Sequence, residues 1–530
     1  MKERIYLYDS TLRDGAQARG IDFTAADKIA IAEALDAFGI DYIEGGWPGA
    51  NPTDDAFFAA APKTKKASVV AFGMTRRGGR SASNDPGLQD VMGANTGTVC
   101  LVGKAWDWQV KAALKVSKEE NLRMVEESIA HVVAKKREAV LDAEHFFDGY
   151  KANPEYAMAV VKTAIDAGAR WVVLCDTNGG SLPSEIKKIV SEVVQVVPGA
   201  KLGIHCHNDT EQAVANSLAA VEAGVRQVQG CINGIGERCG NANLISIIPT
   251  LMLKMGFATG ISEKHLSQLT KLSRLVDERL NRAPNPHAAY VGASAFAHKG
   301  GLHVSAMNKD SRSYEHVEPA LVGNERLILV SDKAGRANIL NRLKQMGIAI
   351  DEADERIGDL VKAVKEREAL GYAYEDAEAS FELMARQLLD AVPIYYDLQS
   401  FRVLDERRID AKGKRVTMSE ATVKLAVKKN DVVMTVAEGN GPVNALDAAL
   451  RKALLPHYPQ LQHMYLNDYK VRILTPQEAT AALTRVMIES RDDTGKSWNT
   501  IGVSHNVIDA SYNALFDAIS FHLMKRKVKA

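Results

Sequence analysis

From residue 4 to about residue 256, short apolar runs alternate with longer amphipathic stretches, the pattern of repeated strand and helix units. The apolar runs at 5–8, 42–44, 68–72, 98–102, 139–143, 171–175, 201–206 and 227–231 predict strands. Between them helical periodicity covers 25–38, 118–136, 154–167, 183–196 and 212–223, several of these preceded by Ser, Thr, Asp or Asn in capping position. Eight strands interleaved with helices over about 250 residues predict an α/β fold, a (β/α)8 TIM barrel, with an open doubly wound sheet as the rival. The placement of polar residues separates the two. Asp14, Glu44, Glu144, Asp176, His205, His207 and Asn241 follow or close strands one, two, five, six, seven and eight. A closed barrel gathers such positions on one carboxyl-end rim, whereas an open sheet strings them out along a line.

Past residue 260 the alternation gives way to helical patterns at 263–282 and 354–368, a helical connecting region. From residue 401 β-rich runs return at 415–426, 431–438, 463–473 and 484–491. A weak internal repeat lies there: Pro442-Val-Asn444-Ala-Leu-Asp447 echoes Ser504-His-Asn506-Val-Ile-Asp509 at a spacing of 62 residues. It predicts two related halves, each combining strands with a helix. The expected organisation is a catalytic barrel over 1–280, helical subdomains over 281–395 and a C-terminal α+β regulatory and dimerisation module over 396–530. The basic end, Lys525-Arg-Lys527, reads as the last turn of a helix, where the macrodipole favours cations.

Composition narrows the class of partner. At 530 residues the chain is too long for one core. Its 66 Lys and Arg balance 66 Asp and Glu, so no basic footprint points to nucleic acid or an anionic membrane. A small-molecule or protein partner is expected. No apolar run approaches the ~18 residues of a membrane span, and the opening MKERIYLYDST lacks a signal-peptide core, so a cytoplasmic location is expected. The five cysteines, odd in number and mostly within apolar runs, read as reduced core residues.

The chemistry concentrates in a few short stretches. In His205-Cys206-His207, at the end of a strand, alternation sends both imidazoles to one face. Asp14, just after strand one, stands two strands away in a closed barrel, and the carbonyl of Asn241 is available as a fourth ligand. A carboxylate, two imidazoles and an amide oxygen suit Zn, Mn, Co or Mg and leave positions open, which describes a Lewis-acid site. Plainer readings stand beside these: two structural histidines, an arginine-paired Asp14, and Asn241 as a helix cap before Leu244.

Three ordered blocks carry a resemblance: Tyr8-Asp-Ser-Thr-Leu-Arg13-Asp14-Gly15, His205-Cys-His207-Asn208-Asp209, and Gly234-Ile-Gly236-Glu237-Arg238-Cys-Gly240-Asn241. They resemble the signature blocks of the acetyl-CoA-dependent synthases that make 2-isopropylmalate, citramalate and homocitrate. The likeness extends over the whole chain, because that family also has helical subdomains and a C-terminal regulatory module. It implies a TIM barrel, a divalent metal ion (Mg, Mn, Zn or Co) on Asp14, His205, His207 and Asn241, and condensation of acetyl-CoA with a 2-keto acid. Residues 43–52 and 296–303 look like the branch that uses pyruvate, on the route to isoleucine; 2-ketoisovalerate, on the route to leucine, is the alternative.

Position along the strands and the resemblance together suggest roles. Arg13 would face the developing alkoxide, with Glu44 near the metal site and holding it, and Thr177 would donate to the substrate carboxylate. Glu144 would act on the acetyl methyl group together with His303 and Tyr314, supplied by the second subunit of a homodimer. Local alternatives remain open: Glu144 can pair with a neighbouring lysine, Glu44 can be a buried structural carboxylate, and Thr177 can cap the Asn178-Gly-Gly turn. Trp47 and Phe72 are candidates for narrowing the keto-acid pocket. Isoleucine or leucine is the expected feedback ligand of the C-terminal module. The rival of another class is a non-catalytic branched-chain amino-acid sensor.

Overall fold

The computed structural model describes residues 2–60, 62–330, 335–389, 392–409, 411, 413, 415–427 and 431–529. It divides into two compact units, Met1–Phe296 with His316–Arg326, and Ala297–Glu315 with Leu327–Ala530.

In the first unit eight parallel strands close in sequence order, β1 (Tyr6–Asp9), β2 (Tyr42–Gly46), β3 (Ser68–Met74), β4 (Thr98–Lys104), β5 (Glu138–Glu144), β6 (Trp171–Asp176), β7 (Leu202–Cys206) and β8 (Gln227–Gly230). β1 pairs with both β2 and β8, so the sheet has no edge. This is the TIM barrel expected from the apolar alternation. The helices begin where short polar side chains can absorb free backbone N–H groups. Thr24 accepts from the Asp27 amide while Asp27 accepts from the Thr24 amide, and Ser117 and Asn153 cap the next long helices. Gly39 ends the first helix in the left-handed region at φ 110°, which a side chain would resist. The expected helix over 263–282 is instead two, Glu263–Leu266 and Leu269–Arg279, because Ser262 caps a first turn that stops before Leu269.

Alternation along each strand divides its side chains between two cores. Outward residues such as Leu7, Ile43, Leu101, Leu141 and Ile204 pack under the helices. Inward residues, among them Tyr8, Tyr42, Phe72, Cys100, Val140 and Trp171, fill the barrel itself. Towards the carboxyl ends the inward positions turn polar: Glu44, Lys104, Asp142, Glu144, His205 and Gln229.

The second unit holds the helices Arg336–Gln345, Arg356–Ala369 and Glu378–Leu388, and two three-stranded antiparallel sheets each followed by a helix. Strands Tyr396–Ile409, Arg415–Val427 and Asp431–Gly439 precede helix Pro442–Leu454; strands Met464–Ile473, Thr484–Asp492 and Ser497–Ser504 precede helix Val507–Lys525. The two halves correspond closely. Thr435 donates to the Ala449 carbonyl and Thr500 to the Ala514 carbonyl, both at 2.8 Å, and each first strand breaks register, between Leu398 and Ser400 and between Leu466 and Asp468. Ala449 and Ala514 stand 65 residues apart, so the expected spacing of 62 is corrected by three. Small residues recur every three to four positions on a buried helix face, so a shift of nearly one turn still matches by composition. Among the described residues no helix is long and apolar enough to cross a membrane.

Candidate active site

The carboxyl-end rim carries a cavity of 260 Å³ whose walls include Arg13, Asp14, Glu144, Thr177, His205 and His207. Asp14 arrives on a tight turn after β1, in which the amides of Arg13 and Gly15 both donate to the Ser10 carbonyl. His205 is the last residue but one of β7, and His207 follows one residue beyond the strand, with ring centroids 5.2 Å apart. The loop after β8 folds back on β7: the Asn208 amide donates to Gly240 and the Ala242 amide to Cys206, setting Asn241 opposite His207. Gly240 makes that return possible. Its φ is +97°, and a Cβ there would stand 2.0 Å from the Gly234 carbonyl oxygen.

Asp14 Oδ2 is 3.3 Å from His205 Nε2 and 3.7 Å from His207 Nε2, and the three residues offer ligand atoms within 4.8 Å of one another. All are buried, and three of the surrounding polar atoms, Asp14 Oδ1, His207 Nδ1 and Asn241 Oδ1, have no hydrogen-bond partner. Orphaned buried acceptors are costly, and a cation is the group that satisfies several at once. The donor set fits a borderline-hard divalent ion.

Electrostatics agree. Burial opposes the Asp14 charge, yet Arg13, His205 and His207 outweigh it and hold the carboxyl well below the usual range. Burial, reinforced by the charge of His205, pushes His207 down to about 4 and keeps it neutral. For His205 burial works downward, and the contact with Asp14 overcomes it and raises the pKa. A bound cation would displace that proton.

Arg13 is locked from two sides. Its Nε donates to Glu44 Oε2 at 2.7 Å, and its guanidinium lies 3.8 Å from the centre of the Phe72 ring. Glu44, expected among the substrate-binding groups, is fully buried and lies outside the cavity lining. Its carboxylate accepts from Tyr8, Ser10 and Arg13, so in this structure it holds the arginine in place. Trp47 and Phe72 meet edge to face at 5.5 Å, and both line the cavity.

Glu144 pairs with Lys104, its direct neighbour in register across β4 and β5. Thr177 Oγ1 accepts from the His145 amide at 2.8 Å, which leaves its hydroxyl hydrogen to donate elsewhere. His303 and Tyr314 belong to the second unit, where their rings stack at 4.1 Å with Tyr314 exposed. Lys104, Asp142, Cys175 and Glu237 also line the cavity and were not singled out from sequence. A lysine at the end of its strand was the available signal for the first.

A closed parallel barrel with a candidate cation site and a held arginine on its carboxyl rim belongs to the class of metal-dependent TIM-barrel enzymes. Residues 4–276 match the HMGL-like family, 290–370 the homocitrate synthase post-HMGL domain, and 375–523 the LeuA allosteric (dimerisation) domain. An (R)-citramalate synthase of Aquifex aeolicus is 51% identical over 527 residues, covering 99% of each chain. That of Geobacter sulfurreducens is 50% identical over 98% of each, whereas a 2-isopropylmalate synthase of Carboxydothermus hydrogenoformans is 30% identical over 99% of each. The chain belongs to the HMGL-like family and, within it, to the (R)-citramalate synthases.

Proposed function

We propose that this chain condenses acetyl-CoA with pyruvate and water to give (R)-citramalate and free CoA, as an acyltransferase whose divalent ion is held by Asp14, His205, His207 and the side-chain carbonyl of Asn241. The observation that carries the reading is the convergence of Arg13, Asp14, Glu144, Thr177 and both histidines on one small cavity. Mg, Mn, Zn or Co bound there would polarise the keto carbonyl and fix the 2-keto acid through two oxygens.

The chain's own residues do the rest. Arg13, held by Glu44 and Phe72, presents a fixed positive charge to the oxygen that becomes an alkoxide. Thr177, its acceptor side already taken by His145, donates to the substrate carboxylate. Glu144 takes a proton from the acetyl methyl group, which requires it to exchange Lys104 for the thioester. His303 and Tyr314 complete this half of the site from the partner copy of a homodimer. The carbanion joins the keto carbon, and water then cleaves the thioester and releases CoA. Trp47 and Phe72 close the space beyond a methyl group, favouring pyruvate over 2-ketoisovalerate. The C-terminal module is the seat of the homodimer contact and of feedback by isoleucine, or else leucine.

A free-thiol assay tests the reading. Purified protein with Mg or Mn should release CoA with pyruvate, at a higher kcat/KM than with 2-ketoisovalerate. Asp14→Ala and His207→Ala should each lower that rate by about 100-fold or more. Unchanged rates would sink the reading.

A further inference from the structure

Beneath the rim a buried side chain with no assigned role lies against the ring of His205. Gln229 on β8 is the register partner of His205 on β7. Its Oε1 lies 2.9 Å from His205 Nδ1, and its Nε2 donates to Asp142 Oδ1 at 3.1 Å. Both Gln229 and Asp142 are buried from solvent. Asp142 also belongs to a second group of possible ligand atoms, with Glu44 and Cys100. That group is no second cation site, because Tyr8, Ser10 and Arg13 already occupy the Glu44 carboxylate.

Asp142 sets the direction of the bonds above it. Burial, then the neighbouring charge of Glu44, raises its carboxyl to about 6, so at about pH 8 it is ionised and can only accept. The amide of Gln229 must therefore turn its NH2 towards Asp142 and its oxygen towards His205. An acceptor at that place demands a proton on His205 Nδ1 and leaves the lone pair on Nε2, the nitrogen that faces Asp14. A histidine without such a partner samples both tautomers and rotates. His207, whose Nδ1 has no partner, lacks this restraint.

We infer that the Asp142–Gln229 pair is a positioning relay that presents His205 Nε2 to the cation. The inference rests on the metal site proposed above and deepens it. The test is Mn2+ affinity of the metal-free full chain, measured by equilibrium dialysis at about pH 8, alongside the melting temperature of the same metal-free protein, which reads packing alone. Gln229→Leu should weaken binding about 10- to 100-fold, the range typical of lost outer-shell partners to a ligating histidine. The exchange Gln229→Glu with Asp142→Asn keeps an acceptor on His205 and a donor beneath it, and should recover affinity to within about threefold. Should Gln229→Leu yield no folded protein, Gln229→Met takes its place. Wild-type affinity in the leucine variant, or an exchanged pair as weak as that variant, overturns the relay while leaving the metal site intact. A wild-type chain that binds no Mn2+ overturns both.

Discussion

Arg13 shows how much a single residue depends on its holders. A lysine at this place would keep the charge but lose the Nε bond to Glu44 and the flat contact with Phe72. Arg13→Lys should lower kcat/KM by about 100-fold with little change in melting temperature, read by the thiol assay and thermal denaturation. Asp9 invites a different test. It is buried at the end of β1, and burial outweighs the bonds from Thr11, raising its carboxyl to about 7. A raised carboxyl stabilises the folded chain when protonated, so this contribution is complete at low pH and lost as pH rises from the unfolded value through about 7. The full loss is about 4 kcal/mol, of which about 3 kcal/mol falls between pH 5 and pH 8, where urea titrations should show wild type weakening relative to Asp9→Asn. Asp14 and the histidine pair were legible in the sequence because polar residues at strand ends stand out. Asp142 and Gln229 were not, since a polar residue inside a strand is uninformative until register shows what lies beside it, and Lys104, though it ends its strand, needs the same register to reveal its partner.

At the scale of elements, the loop from β8 back to β7 decides whether Asn241 reaches the site. Gly240→Ala places a Cβ against the Gly234 carbonyl at a left-handed φ, so the loop must shift. A cost of about 1–3 kcal/mol is expected, with a matching loss of metal affinity, both measurable on the purified variant. In the C-terminal unit Gly502 lets the last helix lie directly on its sheet, for a Cβ there would stand 2.0 Å from the Ala510 carbonyl oxygen. The barrel strands could be read from alternation because each buries one face among helices and the other in the barrel. Strands Tyr396–Ile409 and Ser497–Ser504 went unread because their charged and polar residues interrupt the apolar runs. The repeat was visible but misaligned by one helical turn, an error that the paired Thr435 and Thr500 bonds correct.

For the molecule as a whole, the catalytic and C-terminal parts should separate by experiment. Chelation should abolish CoA release, and Mn or Mg should restore it, as the thiol assay would show. Removing residues 375–530 should reduce the solution mass to that of a monomer, read by light scattering. Loss of all activity in that truncation would fit a site completed by His303 and Tyr314 of the partner copy. The order of apolar and polar positions determined the barrel, its strand count and the carboxylate and imidazoles on its rim, because periodicity of two and of 3.6 is a local property of the chain. The tertiary structure decided, among alternatives the sequence left open, that Glu44 grips Arg13 and that Lys104 meets Glu144, and it placed Gln229 under His205. Those contacts join strands 24 to 40 residues apart, and their partners follow from register and burial, which no stretch of sequence contains by itself.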